Sequence, residues 1–237
     1  MFQTAERLDP LFHDVASPID RATLRLHQER YRLVAEYVRD ADVVDCACGT
    51  GFGSEMLAEA GARSVRGVDL DRGALAFARA RHAHPAVTYY EADALRFTAT
   101  PAPTVWASIE TVEHLPNPQA YVARVAKALP VGGKFIVSVP VTVSTDGNPH
   151  HLRDFTRRSF RRMLSEHGFV EERALEQSHR FTLGDVLGGS GRDSRHDRRQ
   201  RLLLWYARHP AVLARRAWLT VTKGLVTEYL TVVAVKK

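Results

Sequence analysis

The hydrophobic residues of this chain follow two alternating periods, one typical of strands and the other of amphipathic helices. The pattern predicts strands at 42–48, 65–70, 87–90, 104–109, 134–140, 169–175 and 228–236. Between them it predicts helices at 21–39, 54–60, 72–82, 118–129, 159–167 and 201–224. Strands that alternate with helices indicate an α/β fold with a doubly wound, mostly parallel sheet of seven strands.

The composition narrows the class of protein. An apolar fraction of 45% and a charged fraction of 25% over 237 residues are ordinary for a soluble globular protein. Two cysteines cannot form a disulfide framework, and no apolar run approaches the ~20 residues that a membrane span needs. The first residues do not resemble a secretory signal, so we expect a cytoplasmic location. The net charge of +6 is concentrated in short arginine-rich stretches, which makes nucleic acid an unfavoured partner.

A glycine-rich turn follows the first predicted strand. Asp45 precedes Gly49, Gly51 and Gly53, and glycines without side chains let the backbone turn tightly and approach a ligand. Asp69 ends the next strand, where a carboxylate can accept hydrogen bonds from both hydroxyls of a ribose. The spacing differs from the Gly-x-Gly-x-x-Gly of dinucleotide sites. An acidic residue before the glycines would repel a pyrophosphate and suits a cationic ligand.

These segments together resemble the class I S-adenosylmethionine-dependent methyltransferases. Val43-Val-Asp-Cys-Ala-Cys-Gly-Thr-Gly-Phe-Gly53 is similar to the first motif of that family, Val65-Arg-Gly-Val-Asp-Leu-Asp71 to its acidic motif, and Glu91-Ala-Asp-Ala94 to its adenine-side motif. The resemblance covers about residues 30–175 and the last strand. It implies a Rossmann-like fold, methyltransferase activity and S-adenosyl-L-methionine as cofactor. The implied cofactor-binding residues are Tyr31, Asp45, Ala47, Gly49, Gly51, Asp69, Leu70, Asp93, Ala94 and Ile109.

No linker or repeat interrupts the alternation, so we expect a single methyltransferase domain over residues 1–237. Its expected parts are an N-terminal arm and helix (1–40), a cofactor-binding core (41–175), a mobile basic loop with a helical insertion (180–225) and the last strand (226–237). Residues 184–200 are poor in apolar side chains and predict the loop itself. The sequence leaves open whether this loop is a lid and whether the insertion mediates a homodimer.

A cluster of carboxylates and histidines follows the fourth predicted strand. Glu110, Glu113 and His114 have the spacing that places three side chains on one side of a helical turn. Two carboxylates and an imidazole are ligands that Mg²⁺ and Mn²⁺ accept, and a fourth ligand must come from another segment. His150 and His151 lie in the loop after the fifth predicted strand, near the same edge of the sheet.

The pattern Glu-x-x-Glu-His with a later histidine resembles the small-RNA 3′-terminal 2′-O-methyltransferases and the ubiquinone-pathway O-methyltransferases. In both groups the pattern binds Mg²⁺ near the acceptor hydroxyl. The resemblance implies a site for Mg²⁺ or another divalent cation at Glu110, Glu113, His114 and His151. His150 is then the free histidine and the candidate catalytic base, and His114 is the second candidate. Alternatively no metal binds, and the acidic residue caps a helix or contacts the cofactor.

The cluster favours methyl transfer to a hydroxyl, because an alcohol has a high pKa and needs a base or a Lewis acid. The favoured acceptor is a small-molecule saccharide, oligosaccharide or glycosylated metabolite, because the layout resembles bacterial methyltransferases of glycan and natural-product pathways. An RNA 3′ end is an alternative that would need a wider basic groove. A phenolic quinone precursor would favour an apolar, membrane-facing lip, whereas residues 184–200 are polar and basic. The last alternative is a non-catalytic, cofactor-binding regulatory protein.

Overall fold

Seven strands form one mixed sheet in the computed structural model of the chain, which describes residues 9–10, 18–181 and 202–237. The strands are β1 (Asp42–Cys46), β2 (Ser64–Asp69), β3 (Val87–Glu91), β4 (Val105–Ser108), β5 (Lys134–Pro140), β6 (Phe169–Arg180) and β7 (Val226–Lys236). Their order across the sheet is β3-β2-β1-β4-β5-β7-β6. Only β7 runs antiparallel to its neighbours, so the predicted mostly parallel, doubly wound fold is confirmed.

Helices occupy the connections between the strands. They are α1 (Pro18–Ala35), α2 (Phe52–Glu59), α3 (Arg72–Arg81), α4 (Pro118–Ala128), α5 (Arg157–Glu166), α6 (Leu202–Arg208) and α7 (Pro210–Lys223), with a 3₁₀ helix at Val112–His114. Within the described ranges, no helix combines the length and the apolar character that crossing a bilayer requires.

Apolar side chains cover both faces of the sheet because successive residues of a buried strand point to opposite sides. Val43 of β1 packs with Val34 of α1 and Leu57 of α2, in one cluster. Its neighbour Val44 packs with Tyr121 of α4, in the cluster on the other face. With helices on both faces, a ligand has access at the edge where the parallel strands end.

The order of the strands reverses between β1 and β4. The chain passes from β1 outward to β2 and β3, and then returns to form β4 on the other side of β1. A crevice forms at the carboxyl ends of two such strands, and in open α/β sheets it is the usual ligand site. The turn after β1 and the turn after β4, which carry most of the predicted site residues, therefore lie side by side.

Most predicted elements differ from the observed ones by one or two residues at an end; the predicted strand 42–48, for example, ends at Cys46. Three differences are larger. The predicted helix 21–39 ends at Ala35, and the predicted insertion helix is divided before Pro210, whose ring cannot continue a helix. The predicted strand 169–175 extends to Arg180, because β7 pairs with it along its whole length. The predicted loop 184–200 lies outside the described residues.

Candidate functional site

Two adjoining cavities lie at the carboxyl ends of β1, β2 and β4. The first cavity has a volume of about 260 Å³ and the second about 320 Å³. Four predicted site residues form the wall that both cavities share: Ala47, Gly49, Glu110 and His114. The first cavity is lined in addition by Tyr31, Ile109 and His151, and the second by Asp69, Leu70, Asp93 and Ala94. The structure thus brings most of the predicted residues into one cleft.

The glycine turn takes the backbone sharply from β1 into α2. Gly51 has a φ of 90° and is the N-terminal cap of α2, a conformation that favours glycine. Gly53 faces the ring of Tyr31 so closely that a Cβ atom would collide with it. The turn therefore keeps its backbone open toward the cleft, and α2 packs tightly against α1.

Asp45 lies beneath this turn and not in the wall of the cleft. Its carboxylate is fully buried, and it accepts hydrogen bonds from Tyr31 Oη at 3.1 Å and Ser54 Oγ at 2.6 Å. Burial raises the pKa of Asp45 to about 6, although both hydrogen bonds act to lower it. Asp45, predicted as a cofactor-binding residue, thus connects β1, α1 and α2 and supports the turn from below.

Two carboxylates in the second cavity are held in place by backbone amides. Asp69 Oδ2 accepts a hydrogen bond from the Gly49 amide at 2.9 Å, and Oδ1 accepts one from the Asp71 amide at 2.9 Å. Asp93 Oδ1 accepts a hydrogen bond from the Leu95 amide at 2.8 Å. Both carboxylates remain partly exposed and can still accept hydrogen bonds from a ligand.

Three of the four predicted metal ligands come together beside the first cavity. One ligand atom from each of Glu113, His114 and His151 lies within 4.8 Å of the other two. Glu113 is fully buried, and the two imidazole rings are 4.7 Å apart between centroids. His114 Nδ1 lies 3.2 Å from the carbonyl oxygen of His150. Because a carbonyl oxygen only accepts, this contact is a hydrogen bond in the tautomer that carries its hydrogen on Nδ1, and that tautomer keeps a lone pair on Nε2.

The environment of His151 keeps its ring neutral. Burial lowers the pKa of His151 to about 3, and the neighbouring imidazoles of His114 and His150 add to the effect. Its buried Nδ1 has no hydrogen-bond partner among the residues that the structure describes. His150, the predicted base, is exposed beside it. A neutral imidazole with an unsatisfied nitrogen is the form of histidine that binds metals.

Glu110, the fourth predicted ligand, lies outside this group. Its backbone has a φ of 51°, and the 3₁₀ helix begins only at Val112, so Glu110 and Glu113 do not share a helical turn. Glu110 Oε1 accepts a hydrogen bond from Ser138 Oγ at 2.9 Å and lies 3.4 Å from Nη1 of Arg30. The buried guanidinium of Arg30 thus draws this carboxylate toward α1.

Seven further residues line the first cavity that the sequence analysis did not assign to the site. Cys48, Thr50 and Phe52 belong to the glycine turn, and four come from other segments: Thr23, His27, Asn148 and Tyr229. Thr23 and His27 precede Tyr31 by eight and four positions, so the three share one face of α1. That spacing is a signal that sequence reasoning could have used. Tyr229 reaches the cavity because β7 pairs antiparallel with β5. The local sequence does not predict this pairing.

Comparisons with known proteins agree with this geometry. Residues 43–133 match the protein family described as "Methyltransferase domain". The chain is 29% identical over 178 residues to a "Probable S-adenosylmethionine-dependent methyltransferase" of Mycolicibacterium smegmatis, an alignment that covers 73% of this chain and 66% of that protein. It is 39% identical over 100 residues to the ubiquinone biosynthesis O-methyltransferase of Idiomarina loihiensis, covering 40% and 41%. The chain thus spans less than two thirds of the length of these curated relatives.

The fold also matches a solved structure. The N-methyltransferase NodS of Bradyrhizobium japonicum, in complex with S-adenosyl-L-homocysteine, aligns with a TM-score of 0.63 at 14% sequence identity. That alignment covers 98% of this chain and 95% of NodS. The family match spans the glycine turn, Asp69, Asp93 and the Glu113–His114 segment. Residues 43–133, which form the glycine turn and line the second cavity, are therefore similar to a methyltransferase domain.

Proposed function

We propose that the protein transfers the methyl group of S-adenosylmethionine to a hydroxyl group of a saccharide or glycosylated metabolite, assisted by a divalent cation. The observation that carries the proposal is the convergence of Glu113, His114 and His151 beside the first cavity. This group adjoins the glycine turn and the two carboxylates of the second cavity through a shared wall. The cofactor would then extend past that wall into the first cavity, where its methyl group meets the acceptor.

The second cavity suits the nucleoside half of the cofactor. Asp69 is oriented by two amides and would accept hydrogen bonds from the ribose hydroxyls, and Asp93 would face the adenine. Leu70 and Ala94 supply apolar surface for the base. The methionine half would pass over Ala47 and Gly49 toward Tyr31 and Ile109. The buried Asp45 beneath the turn adds a carboxylate near the sulfonium charge.

The residues around His151 fit a divalent cation. A carboxylate and two imidazoles form a mixed oxygen and nitrogen set, and the unsatisfied Nδ1 of His151 would gain a partner. The carbonyl of His150 would hold the His114 ring in the tautomer that leaves Nε2 available. Glu110 is not needed for this set, and we assign it to the wall of the cleft.

The transfer itself is an in-line displacement. The acceptor oxygen forms a bond to the methyl carbon, the bond from that carbon to sulfur breaks, and S-adenosylhomocysteine leaves. Glu113, His114 and His151 would hold the divalent cation, which when bound would supply Lewis acidity that lowers the pKa of the hydroxyl. We assign the removal of the hydroxyl proton to His150, which is exposed, follows Asn148 of the cavity lining by two positions and is not itself among the residues that line the two cavities. Tyr31, Gly49 and the cavity wall orient the two reactants.

The lining of the first cavity supports an acceptor with several hydroxyl groups. Hydroxyl, imidazole and amide side chains surround it, from Thr23, His27, Asn148 and Tyr229. These groups donate and accept hydrogen bonds, which is what a sugar ring requires. A second candidate acceptor is a phenolic quinone precursor, which the similarity to a protein named ubiquinone biosynthesis O-methyltransferase supports.

The test is cofactor turnover on a panel of sugars, oligosaccharides, catechols and short RNAs, with and without EDTA and with Mg²⁺ restored. We expect turnover on a sugar that disappears with EDTA and returns with Mg²⁺. Turnover that is indifferent to EDTA would contradict the metal and leave His114, His150 or His151 as a base acting alone. Cofactor binding with no turnover on any acceptor would favour a regulatory protein.

A further inference from the structure

The loop between β5 and α5, residues 141–156, forms part of the first cavity. Its residues Asn148 and His151 line the cavity, and His151 belongs to the group of proposed cation ligands. The loop contains no helix or strand, so other contacts must hold it in place. One of them joins it to the 3₁₀ helix, where the Leu152 amide donates to the carbonyl oxygen of Glu113 at 2.9 Å. The position of His151 therefore depends on what holds the rest of this loop.

Two carboxylates hold the loop in different ways. Asp154 binds the loop to itself, because its Oδ1 accepts hydrogen bonds from the amides of Ser144 at 2.8 Å and Thr145 at 3.1 Å. Asp146 binds the loop to α7, because its carboxylate accepts two hydrogen bonds from Arg216, at 2.6 Å from Nε and 2.5 Å from Nη2. The first contact shapes the loop, and the second sets where the loop lies relative to α7.

Arg216 holds this loop at a second point. Its Nη2 also donates to the carbonyl oxygen of Val143 at 2.6 Å. Tyr206 of α6 donates to Asp146 Oδ2 at 2.5 Å, so both helices contact the same buried carboxylate. Although burial acts to raise the pKa of Asp146, the hydrogen bonds from Arg216 and Tyr206 lower it below its ordinary value. The carboxylate is therefore ionised and fully paired, which a charge at a buried position requires.

Apolar burial contributes little to the attachment of α6 and α7. The structure describes every residue of α6 and finds none of them buried, and Leu219 is the one buried residue of α7. A helix that packs on a sheet buries a stripe of side chains, as α4 does. Hydrogen bonds from three side chains of α6 and α7 end on the β5–α5 loop: Tyr206, Arg215 and Arg216. The two helices are thus fastened to the loop more than to the sheet.

We infer that Arg216 is a positioning residue of the first cavity: through Asp146 it fixes the loop that presents His151 to the other two proposed cation ligands. The part of this inference that concerns the cation rests on the proposed function. Loss of Arg216 would leave Asp154 to hold the turn of the loop but would remove the anchor on α7. His151 would then reach a wider range of positions, and a cation would bind less tightly. The second cavity contains no residue of this loop, so cofactor affinity should change little.

The first experiment measures Mn²⁺ binding by electron paramagnetic resonance, with S-adenosylhomocysteine present, in the wild type, Arg216→Gln and a control. The control is Arg161→Gln, because Arg161 of α5 makes two hydrogen bonds of the same kind to Glu171 of β6, at 2.7 and 3.1 Å. In Arg216→Gln we expect Mn²⁺ affinity to fall by about tenfold or more and S-adenosylhomocysteine affinity to stay within about twofold. Turnover lost at low Mg²⁺ should return at saturating Mg²⁺, which a general loss of structure would not allow. The control should behave as the wild type does.

The second experiment measures the position of the loop without a metal. It follows hydrogen exchange of backbone amides by mass spectrometry. In Arg216→Gln we expect peptides from residues 141–156 to exchange about threefold faster or more, and peptides from β1 and β2 to exchange as in the wild type. Tyr206→Phe removes a single hydrogen bond to Asp146 and should change both measurements in the same direction by less. It takes the place of Arg216→Gln if that variant does not fold.

Three results would overturn the inference. One is loop exchange at the wild-type rate in Arg216→Gln and Tyr206→Phe. Another is wild-type Mn²⁺ affinity in a variant whose loop exchanges faster, and the third is an equal fall of Mn²⁺ affinity in Arg161→Gln. Wild-type protein that binds no Mn²⁺ would refute the cation of the proposed function instead. Faster loop exchange in Arg216→Gln would then still support the positioning of the loop by this residue.

Discussion

The two cavities of the cleft are built in different ways. In the second cavity, Asp69 and Asp93 stand at the ends of neighbouring strands and are oriented by backbone amides, of Gly49 and Asp71 for Asp69 and of Leu95 for Asp93. The first cavity shares the glycine turn and the turn after β4 with the second, and adds α1, the loop after β5 and the start of β7. Its central group joins Glu113 and His114 to His151, which is 37 positions later than His114.

This difference in construction separates two tasks of the site, the binding of the cofactor and the binding of the acceptor. A cavity made from strand ends is fixed by the sheet, so it suits the part of the reaction that is the same for every acceptor. A cavity made from loops and helix faces can change its lining without changing the sheet. We therefore expect substitutions in the second cavity to change cofactor affinity, and substitutions in the group of Glu113, His114 and His151 beside the first cavity to change turnover at constant cofactor affinity.

Glu113→Gln should have the largest effect. Loss of an anionic ligand should reduce turnover by roughly 100-fold or more while cofactor affinity stays within about twofold. Steady-state kinetics with saturating Mg²⁺ and calorimetry with S-adenosylhomocysteine measure the two quantities. Glu110→Gln is the comparison, since Glu110 lies outside the three-ligand group. Equal losses of turnover and cofactor affinity in Glu113→Gln would place Glu113 in the cofactor site.

Asp69→Asn should lower cofactor affinity more than turnover, the opposite of what we expect for Glu113→Gln. We expect cofactor affinity to fall by about tenfold or more, because the amide cannot accept all the hydrogen bonds that the carboxylate accepts from Gly49, Asp71 and a ribose. Turnover at saturating cofactor should fall much less. Glu91→Gln, at the exposed end of β3, is the matched control and should bind cofactor normally. Unchanged affinity in Asp69→Asn would refute the placement of the ribose.

The smallest effect concerns the support of the glycine turn. Ser54→Ala removes a hydrogen bond to the buried carboxylate of Asp45 and should lower the free energy of unfolding by about 1–2 kcal/mol. The pKa of Asp45 is raised from 3.8 to about 6 in the folded protein. Protonation of Asp45 therefore stabilises the folded state fully below pH 3.8, and this stabilisation is lost as the pH rises through 6. Because the hydrogen bond from Ser54 stabilises the ionised carboxylate of Asp45, the loss of stability in Ser54→Ala should be greater at about pH 8 than at about pH 4.5.

Urea unfolding at the two pH values measures this prediction. Ser64→Ala is the control, since it removes a 2.7 Å hydrogen bond to the partly exposed Asp42 at the other end of β1. That variant should lose less stability and show little difference between the two pH values. A loss in Ser54→Ala that is independent of pH would contradict the raised pKa of Asp45.

The sequence predicts the second cavity better than the first, for a physical reason. Hydrophobic periodicity indicates where each strand ends, and Gly49, Asp69 and Asp93 follow directly from those ends. The convergence of His151 with Glu113 depends on the path of a loop, and the separation of Glu110 depends on a left-handed backbone residue and on Arg30 from α1. Tyr229 and the extended β6 depend on pairing with a distant strand. No local pattern contains such information.

Helix α7 shows the same limit of prediction from local sequence. Its spacing predicts a helix but not which side faces the protein, and the buried Asp146 on a remote loop decides that.

Binding of Mn²⁺ to the wild-type protein and to Glu113→Gln, measured by electron paramagnetic resonance with and without S-adenosylhomocysteine, tests the central claim most directly. The account predicts a bound Mn²⁺ ion in the wild type that Glu113→Gln loses, while both proteins bind S-adenosylhomocysteine with similar affinity. Wild-type protein that binds S-adenosylhomocysteine but no Mn²⁺, or a variant that retains the ion, would contradict it.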